Sequence, residues 1–180
     1  MLNRYSKSLM NASQVGPERG DRRMRSGTTV SREHVFDRCG NCEIHGFMGW
    51  NASKTTDETQ ILRMADALLW AGVTAFVPSC ISSSMMLDNV RALHAARTHQ
   101  RQGAEILGLY MEGPFYNPEY NGGTPVQYFQ APSIERALRF YEAAGGDLVS
   151  LGLAPELPGA MEVVSFLSQN GVRTGITFFC

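Results

Sequence analysis

The sequence predicts an α/β fold in which parallel strands alternate with helices. Five short apolar segments recur at intervals of roughly 25–45 residues, and the segments between them repeat their apolar residues with helical spacing. One apolar segment, Ile106–Met111, is nearly continuous, as is typical of a strand buried on both faces of a parallel sheet. Strands of this kind joined by helices are βα units.

The composition fits a soluble globular protein. The chain has 180 residues, of which 43% are hydrophobic and 18% charged, and this length can bury a substantial core. No apolar run approaches the ~20 residues of a membrane helix, so we expect no membrane partner. Four cysteines are too few for a disulfide scaffold. We therefore expect a cytoplasmic protein.

Residues 1–40 differ from the rest of the chain in charge and pattern. Residues 1–38 contain eight Lys or Arg against four Asp or Glu, and they lack the apolar periods of both helix and strand. This indicates a poorly ordered basic arm. Glu18 and Asp21 count against a mitochondrial presequence, which is poor in acids. The arginines lack aromatic neighbours for base stacking, so we expect no nucleic-acid partner.

The first two βα units follow from residue 42. Cys42–Gly46 is a short candidate strand, and a helix is predicted from about Thr56 with Gly72 as its C-terminal stop. Val73–Val77 is the second strand, which Pro78 is expected to end. The predicted inward-facing residues of the helix are Ile61, Ala65, Leu68, Leu69 and, at its C-terminus, Trp70.

The third unit carries the longest loop. A second helix is predicted over residues 84–101, and the third strand over Glu105–Met111. A loop then extends to Pro132, after which Ser133 can cap a third helix. The predicted inward-facing residues are Leu87, Val90 and Leu93 in the second helix, and Ile134, Ala137, Leu138 and Tyr141 in the third.

The last two strands are Leu148–Leu153 and Val172–Phe178, with a fourth helix between them that Gly171 stops. Its predicted apolar face consists of Met161, Val164, Phe166 and Leu167. Five such units form either an open doubly wound sheet or part of a (β/α)₈ barrel. No Gly-x-Gly-x-x-Gly follows the first strand, which counts against a dinucleotide fold. A complete barrel takes about 200–250 residues, so a barrel built from this chain would be incomplete.

Glu112 is the residue whose position most suggests chemistry. It ends the third apolar strand, and Gly113-Pro114 then breaks that strand. Parallel α/β folds build their sites beyond the carboxyl ends of strands, where a carboxylate can bind a metal or transfer a proton. The alternative is that Glu112 caps the helix that follows.

Four segments, in this order and spacing, resemble the N-acetylglucosamine-6-phosphate deacetylases of the amidohydrolase superfamily. They are Ile44–Trp50, Gly72–Ser79, Ile106–Phe115 and Leu153–Gly159. The resemblance implies an incomplete TIM-type (β/α) barrel of about five of the eight βα units over residues 41–180, preceded by an unmatched arm at residues 1–40. It also implies a metal-dependent hydrolase of amino-sugar metabolism, which removes acetate from N-acetylglucosamine 6-phosphate.

The resemblance further implies a divalent metal, zinc or similar, with Glu112 and His45 among its ligands. Glu156 corresponds to a segment that supports the floor of the site. Where the family carries a Gly-Ala-His or similar turn near the substrate, this chain has Gly122, Gly123 and Thr124, which are the candidate substrate-binding residues. A homo-oligomer is compatible with the family.

The sequence also departs from the family pattern. Glu43 replaces the first imidazole of the family's His-x-His-Gly motif, of which His45 retains the second. Two residues apart on a strand, these side chains face the same side. No histidine follows His99, so the family's later histidine ligands have no match in this chain. The family's catalytic aspartate has no match either. We therefore assign no catalytic residue and expect the isolated chain to be inactive, either as a part completed by another polypeptide or as a non-catalytic remnant of a disrupted gene.

A second zinc pattern, formed by His34, Cys39, Cys42 and His45, overlaps the first strand. Its Cys-x-x-Cys half is a usual zinc half-site, but the spacing between halves is shorter than in zinc fingers. A redox role for Cys39 and Cys42 is disfavoured, because such a motif opens a helix and this one precedes a strand.

Overall fold

Strands and helices alternate along residues 43–177, the part of the chain that the structure, a computed structural model, describes. The predicted arm at residues 1–40 and three members of the second zinc pattern, His34, Cys39 and Cys42, lie outside the described residues. No helix within residues 43–177 is both long enough and apolar enough to span a membrane.

The order of elements is that of consecutive βα units. The strands are β1 (Glu43–Ile44), β2 (Gly46–Phe47), β3 (Trp50–Asn51), β4 (Ala75–Ile81), β5 (Glu105–Ile106), β6 (Leu109–Glu112), β7 (Leu148–Leu153) and β8 (Arg173–Ile176). The helices are α1 (Glu58–Trp70), α2 (Met86–His99), α3 (Ile134–Ala143) and α4 (Ala160–Gln169), with short 3₁₀ turns at Pro118–Tyr120 and Val126–Tyr128.

The main sheet is parallel and follows chain order. Its strands lie in the order β1-β4-β6-β7-β8, with β5 paired to the first part of β4, while β2 and β3 form a separate antiparallel hairpin. All neighbours in the main sheet are parallel. The predicted α/β fold is confirmed, and unbroken chain order is the arrangement of strands in a barrel wall.

The third predicted strand is interrupted at Leu107–Gly108, which separates β5 from β6. Gly108 lies so close to β7 that a Cβ atom there would clash with Val149 and lie 2.8 Å from the Asp147 carbonyl oxygen. The pairing of β6 with β7 also shifts register between Leu109 and Tyr110. Between these pairs β6 advances by one residue and β7 by two, so the extra residue of this bulge is Val149 in β7, opposite the close approach of Gly108.

The prediction that Pro78 ends the second strand is wrong, because β4 continues to Ile81. β4 pairs with β5 up to Phe76 and with β6 from Ser79 onward, so Pro78 lies where the ladder on that side is interrupted. A proline, which cannot donate a backbone hydrogen bond, is tolerated at such a bulge. The longer strand places the next residue, Ser82, beside the end of β6.

Capping contacts mark the ends of the helices, at the predicted Ser133 and Gly72 and also at Asp57, which was not predicted as a cap. The Asp57 carboxylate accepts a hydrogen bond from the Thr59 amide at 2.9 Å, and the Ser133 hydroxyl accepts one from the Arg136 amide at 3.3 Å. Gly72 follows α1 with a φ of +89°, in the left-handed region that favours glycine. These contacts fix the helix boundaries to within two residues of the predicted ones.

The helices pack on one face of the sheet and bury narrow apolar stripes. The largest fully buried side chains are Tyr116, Phe76, Phe115, Ile61, Met64, Leu68, Leu93, Leu109, Met111, Leu151, Leu153 and Leu167. Five side chains predicted to face inward are exposed instead: Leu69, Trp70, Ile134, Leu138 and Met161. Each lies beside a stripe rather than in it, because consecutive helical residues are rotated by about 100°.

A charged cluster joins α2 to the amino end of β7. Asp147, whose side chain is 10% exposed, accepts a hydrogen bond from Arg97 and pairs with the His94 Nδ1 atom at 2.7 Å. Arg97 also donates to the Ile106 carbonyl oxygen at 3.1 Å. The cluster lies at the amino ends of the strands, which in barrel folds is the stability face.

Candidate metal centre

Three potential metal ligands meet at the carboxyl ends of β1 and β6. Glu43 lies in β1, His45 follows that strand directly, and Glu112 is the last residue of β6. The His45 Nε2 atom lies 3.3 Å from Glu112 Oε2 and 3.7 Å from Glu43 Oε1. One ligand atom from each residue lies within 4.8 Å of the other two. The structure thus brings together the predicted ligands His45 and Glu112, with Glu43 as the third member.

The donor set suits a divalent cation. Ligands at about 2.1 Å from a tetrahedral metal are separated by roughly 3.4 Å, close to the two measured separations from His45. One imidazole nitrogen and two carboxylates are typical ligands of zinc and of related divalent metals. Three protein ligands also leave a fourth position for water, as catalytic zinc sites require. The residues present therefore fit the implied metal.

The electrostatics of the site favour a cation as well. Burial raises the pKa of the Glu112 carboxyl, the Glu43 charge raises it further, and His45 opposes the shift. Two carboxylates held this close repel each other in the absence of a positive charge. A bound cation would relieve this repulsion.

Tyr110, two residues before Glu112 in β6, is affected by the charges of this site, and the sequence interpretation did not single it out. Burial, with the charges of Glu43 and Glu112, raises the pKa of Tyr110 to about 12. The phenol therefore stays protonated at neutral pH and can donate a hydrogen bond. A signal was available in the sequence, because residues two apart in a strand face the same side and Tyr110 precedes Glu112 by two.

Backbone geometry holds Glu112 in place. Ser82 Oγ donates to the Glu112 carbonyl oxygen at 3.2 Å. Gly113 follows with a φ of +95°, and a Cβ atom there would clash with Ser82 and lie 2.9 Å from the ring of the buried Tyr116. The residue that follows Glu112 must therefore be glycine.

The imidazole of His45 is positioned by a hydrogen bond with Ser53, another residue that the sequence interpretation missed. The Nδ1 atom of His45 lies 2.7 Å from Ser53 Oγ, and Ser53 is 1% exposed. The Ser53 amide donates to the His45 carbonyl oxygen at 3.2 Å and to Asn51 Oδ1 at 2.8 Å. No local pattern connects residues eight apart across a hairpin, so the sequence held no signal for this contact.

The other predicted site residues lie in the loops above the carboxyl edge. Glu156 accepts a hydrogen bond from Asn117 Nδ2 at 2.7 Å, which links the loop after β7 to the loop after β6. The predicted substrate-binding residues lie in a turn closed by the Thr124 amide, which donates to the Asn121 carbonyl oxygen at 3.0 Å. These are Gly122 and Gly123, both exposed, and Thr124. Their roles and that of Glu156 stay predictions.

The chain is similar in sequence to curated proteins named as deacetylases, although no protein-family model matches it. The N-acetylglucosamine-6-phosphate deacetylase of Vibrio furnissii is 28% identical over 132 residues, which cover 72% of this chain and 33% of that protein. The enzyme of the same name from Mus musculus is 30% identical over 140 residues, covering 74% and 34%. The N-acetylgalactosamine-6-phosphate deacetylase of Escherichia coli O157:H7 is 29% identical over 104 residues, covering 57% and 28%.

The fold is likewise that of a deacetylase. The crystal structure of N-acetyl-D-glucosamine-6-phosphate deacetylase from Mycobacterium smegmatis superposes with a TM-score of 0.69 at 22% identity, covering 77% of this chain and 36% of that one. The chain spans about a third of the length of the curated relatives it matches. Over the matched residues, this chain is similar in sequence and in fold to the N-acetylglucosamine-6-phosphate deacetylases, and the resemblance seen in its motifs is confirmed.

Proposed function

We propose that residues 43–177 form the metal-holding part of a deacetylase that acts on an N-acetylated amino sugar 6-phosphate. The observation that carries the proposal is the convergence of Glu43, His45 and Glu112 at the carboxyl edge of the sheet, with His45 Nε2 only 3.3 Å from Glu112 Oε2. The curated relatives bear the names of deacetylases for this substrate class, and His45 and Glu112 lie in the segments Ile44–Trp50 and Ile106–Phe115 that resemble the family.

A bound divalent metal would supply a Lewis acid and a water acidic enough to ionise near neutral pH. Within the chain, Glu43 and Glu112 provide the negative charge that holds such an ion, and His45 provides the neutral nitrogen ligand. The His45 side chain is 50% exposed, so the centre is open to a substrate from the solvent side. The protonated Tyr110 phenol can donate a hydrogen bond to an oxygen bound at the site.

Hydrolysis of an amide also requires an acid that protonates the leaving amine. The resemblance assigns this role to an aspartate for which the sequence offers no match. We therefore propose that the 180-residue chain binds the metal but releases no acetate by itself. Gly122, Gly123 and Thr124 are proposed to contact the sugar, and Glu156 to support the loop beneath it.

Isothermal titration with zinc chloride tests the metal site. The wild-type chain should bind one zinc ion, and Glu112→Gln should weaken binding at least about tenfold, because one of three ligands loses its charge. Glu119→Gln is the matched control, since Glu119 is exposed in the same loop. Equal zinc affinities of Glu112→Gln and Glu119→Gln would contradict the site.

Acetate release tests the chemistry. The zinc-loaded chain should release no acetate from N-acetylglucosamine 6-phosphate or from N-acetylgalactosamine 6-phosphate. Release by the chain alone that is lost in Glu112→Gln would show that residues other than the missing aspartate complete the site. The preferred sugar would then identify the substrate.

A further inference from the structure

We propose that Ser53 is a positioning residue that selects the ring nitrogen with which His45 binds the metal. The proposal rests on the metal role of His45 proposed above. It concerns a contact on the far side of the imidazole, away from the two carboxylates. Ser53 belongs to no motif of the sequence, and its role follows only from the structure.

The two nitrogens of His45 face different partners. Nε2 faces the carboxylates of Glu112 and Glu43, at 3.3 Å and 3.7 Å. Nδ1 faces Ser53 Oγ at 2.7 Å, in a buried position. Only Nε2 can therefore reach a metal held by the carboxylates. To do so it must carry no proton, so the single proton of the neutral ring must lie on Nδ1.

A serine hydroxyl suits this position because it can both accept and donate. With the proton on Nδ1, the ring donates to Ser53 Oγ, and the serine's own proton is directed to the His45 carbonyl oxygen at 3.3 Å. With the proton on Nε2, the ring donates to Glu112 and the hydroxyl turns to donate to Nδ1. In both proton arrangements the hydroxyl therefore occupies Nδ1, and Nε2 is the nitrogen that remains facing the carboxylates. Alanine at this position would leave Nδ1 without a partner.

The segment that carries Ser53 is itself anchored to α2. Asn89 is fully buried, and its Nδ2 atom donates to the carbonyl oxygens of Ala52, at 2.8 Å, and Thr55, at 2.5 Å. These bonds hold the backbone on both sides of Ser53. The hydroxyl is therefore held in place through α2, and such a partner fixes the orientation of a metal-binding histidine.

Zinc affinity of Ser53→Ala in the full chain is the first test. Loss of a hydrogen-bond partner of a ligating histidine typically weakens metal binding 10–100-fold, and we expect a loss of this size. Ser79→Ala is the matched control, because Ser79 is also buried in the same region and its hydroxyl makes no hydrogen bond. An affinity of Ser53→Ala within twofold of Ser79→Ala would overturn the proposal.

The nitrogen NMR spectrum of His45 is the second test, and it does not require Ser53→Ala to fold. In the zinc-loaded wild type, His45 should show the Nδ1–H form with a proton that exchanges slowly with water. Zinc on Nδ1, or a proton that exchanges as fast as that of a free imidazole, would overturn the proposal.

The metal-free protein separates the two proposals. If the wild type binds no zinc, the proposed function fails, but the Ser53 contact still predicts different His45 ring nitrogen shifts in Ser53→Ala and Ser79→Ala. Identical shifts in the two variants would overturn the role of Ser53 itself.

Discussion

Substitution of Gly113 by alanine should destabilise the folded chain and should also make the position of Glu112 less well fixed. A residue other than glycine at a φ of +95° costs about 1–2 kcal/mol. The new Cβ atom would also lie 2.9 Å from the Tyr116 ring, which is 1% exposed and cannot withdraw, and it would clash with Ser82. Overpacking of this kind costs about 1–3 kcal/mol.

Together these effects lower the free energy of unfolding by about 2–5 kcal/mol, a large part of the 5–15 kcal/mol typical of a domain. The urea midpoint should fall by about 1–2 M, measured by tryptophan fluorescence at submicromolar concentration. Because Ser82 must move away from the Glu112 carbonyl oxygen, zinc affinity should fall as well.

Gly123→Ala is the matched control. No heavy atom lies within 4 Å of a Cβ atom built at Gly123. Its unfolding free energy should stay unchanged or rise by up to about 1 kcal/mol. If Gly113→Ala unfolds within about 0.5 kcal/mol of Gly123→Ala, the argument that backbone geometry holds Glu112 is wrong.

Three further predictions concern charge and the edges of the sheet. Asp147→Asn should lower the unfolding free energy by about 2 kcal/mol in urea, because two charged hydrogen bonds are weakened, whereas the exposed Asp88→Asn should change it by less than about 0.5 kcal/mol. Burial raises the pKa of the Glu112 carboxyl, so the folded state binds the carboxyl proton more tightly than the unfolded state does. The unfolding free energy of the wild type should therefore fall relative to that of Glu112→Gln as the pH rises from 4 to 7. Parallel pH profiles of the two proteins would contradict this. Within the described residues β8 pairs only with β7, so the chain should self-associate at micromolar concentration, and a sedimentation coefficient independent of concentration would refute this.

The sequence predicted those features that depend on local pattern. Glu112 could be placed at a strand end because a buried apolar run precedes it and a glycine follows it. Ser133 could be identified as a cap because it directly precedes an apolar helical repeat. Both inferences use only neighbours along the chain, and both residues lie where these patterns predict.

The features that the sequence did not reveal depend on contacts between distant segments. The Ser53–His45 contact is created by the fold of the β2–β3 hairpin. Pro78 remains within β4 because the partner strand is interrupted beside it, which no pattern near residue 78 shows. The exposure of Trp70 depends on how far the buried stripe of α1 extends around the helix. Each of these outcomes is decided by a neighbour that is remote in sequence.

The separation between the Asp147 cluster and the metal centre bears on how this protein can evolve. The cluster joins α2 to the sheet at the amino ends of the strands, whereas Glu43, His45 and Glu112 lie at the opposite edge. Mutations of these residues at the carboxyl edge leave the contacts of Asp147 untouched. The residues at the carboxyl edge can therefore change over evolution while the packing of α2 on the sheet persists.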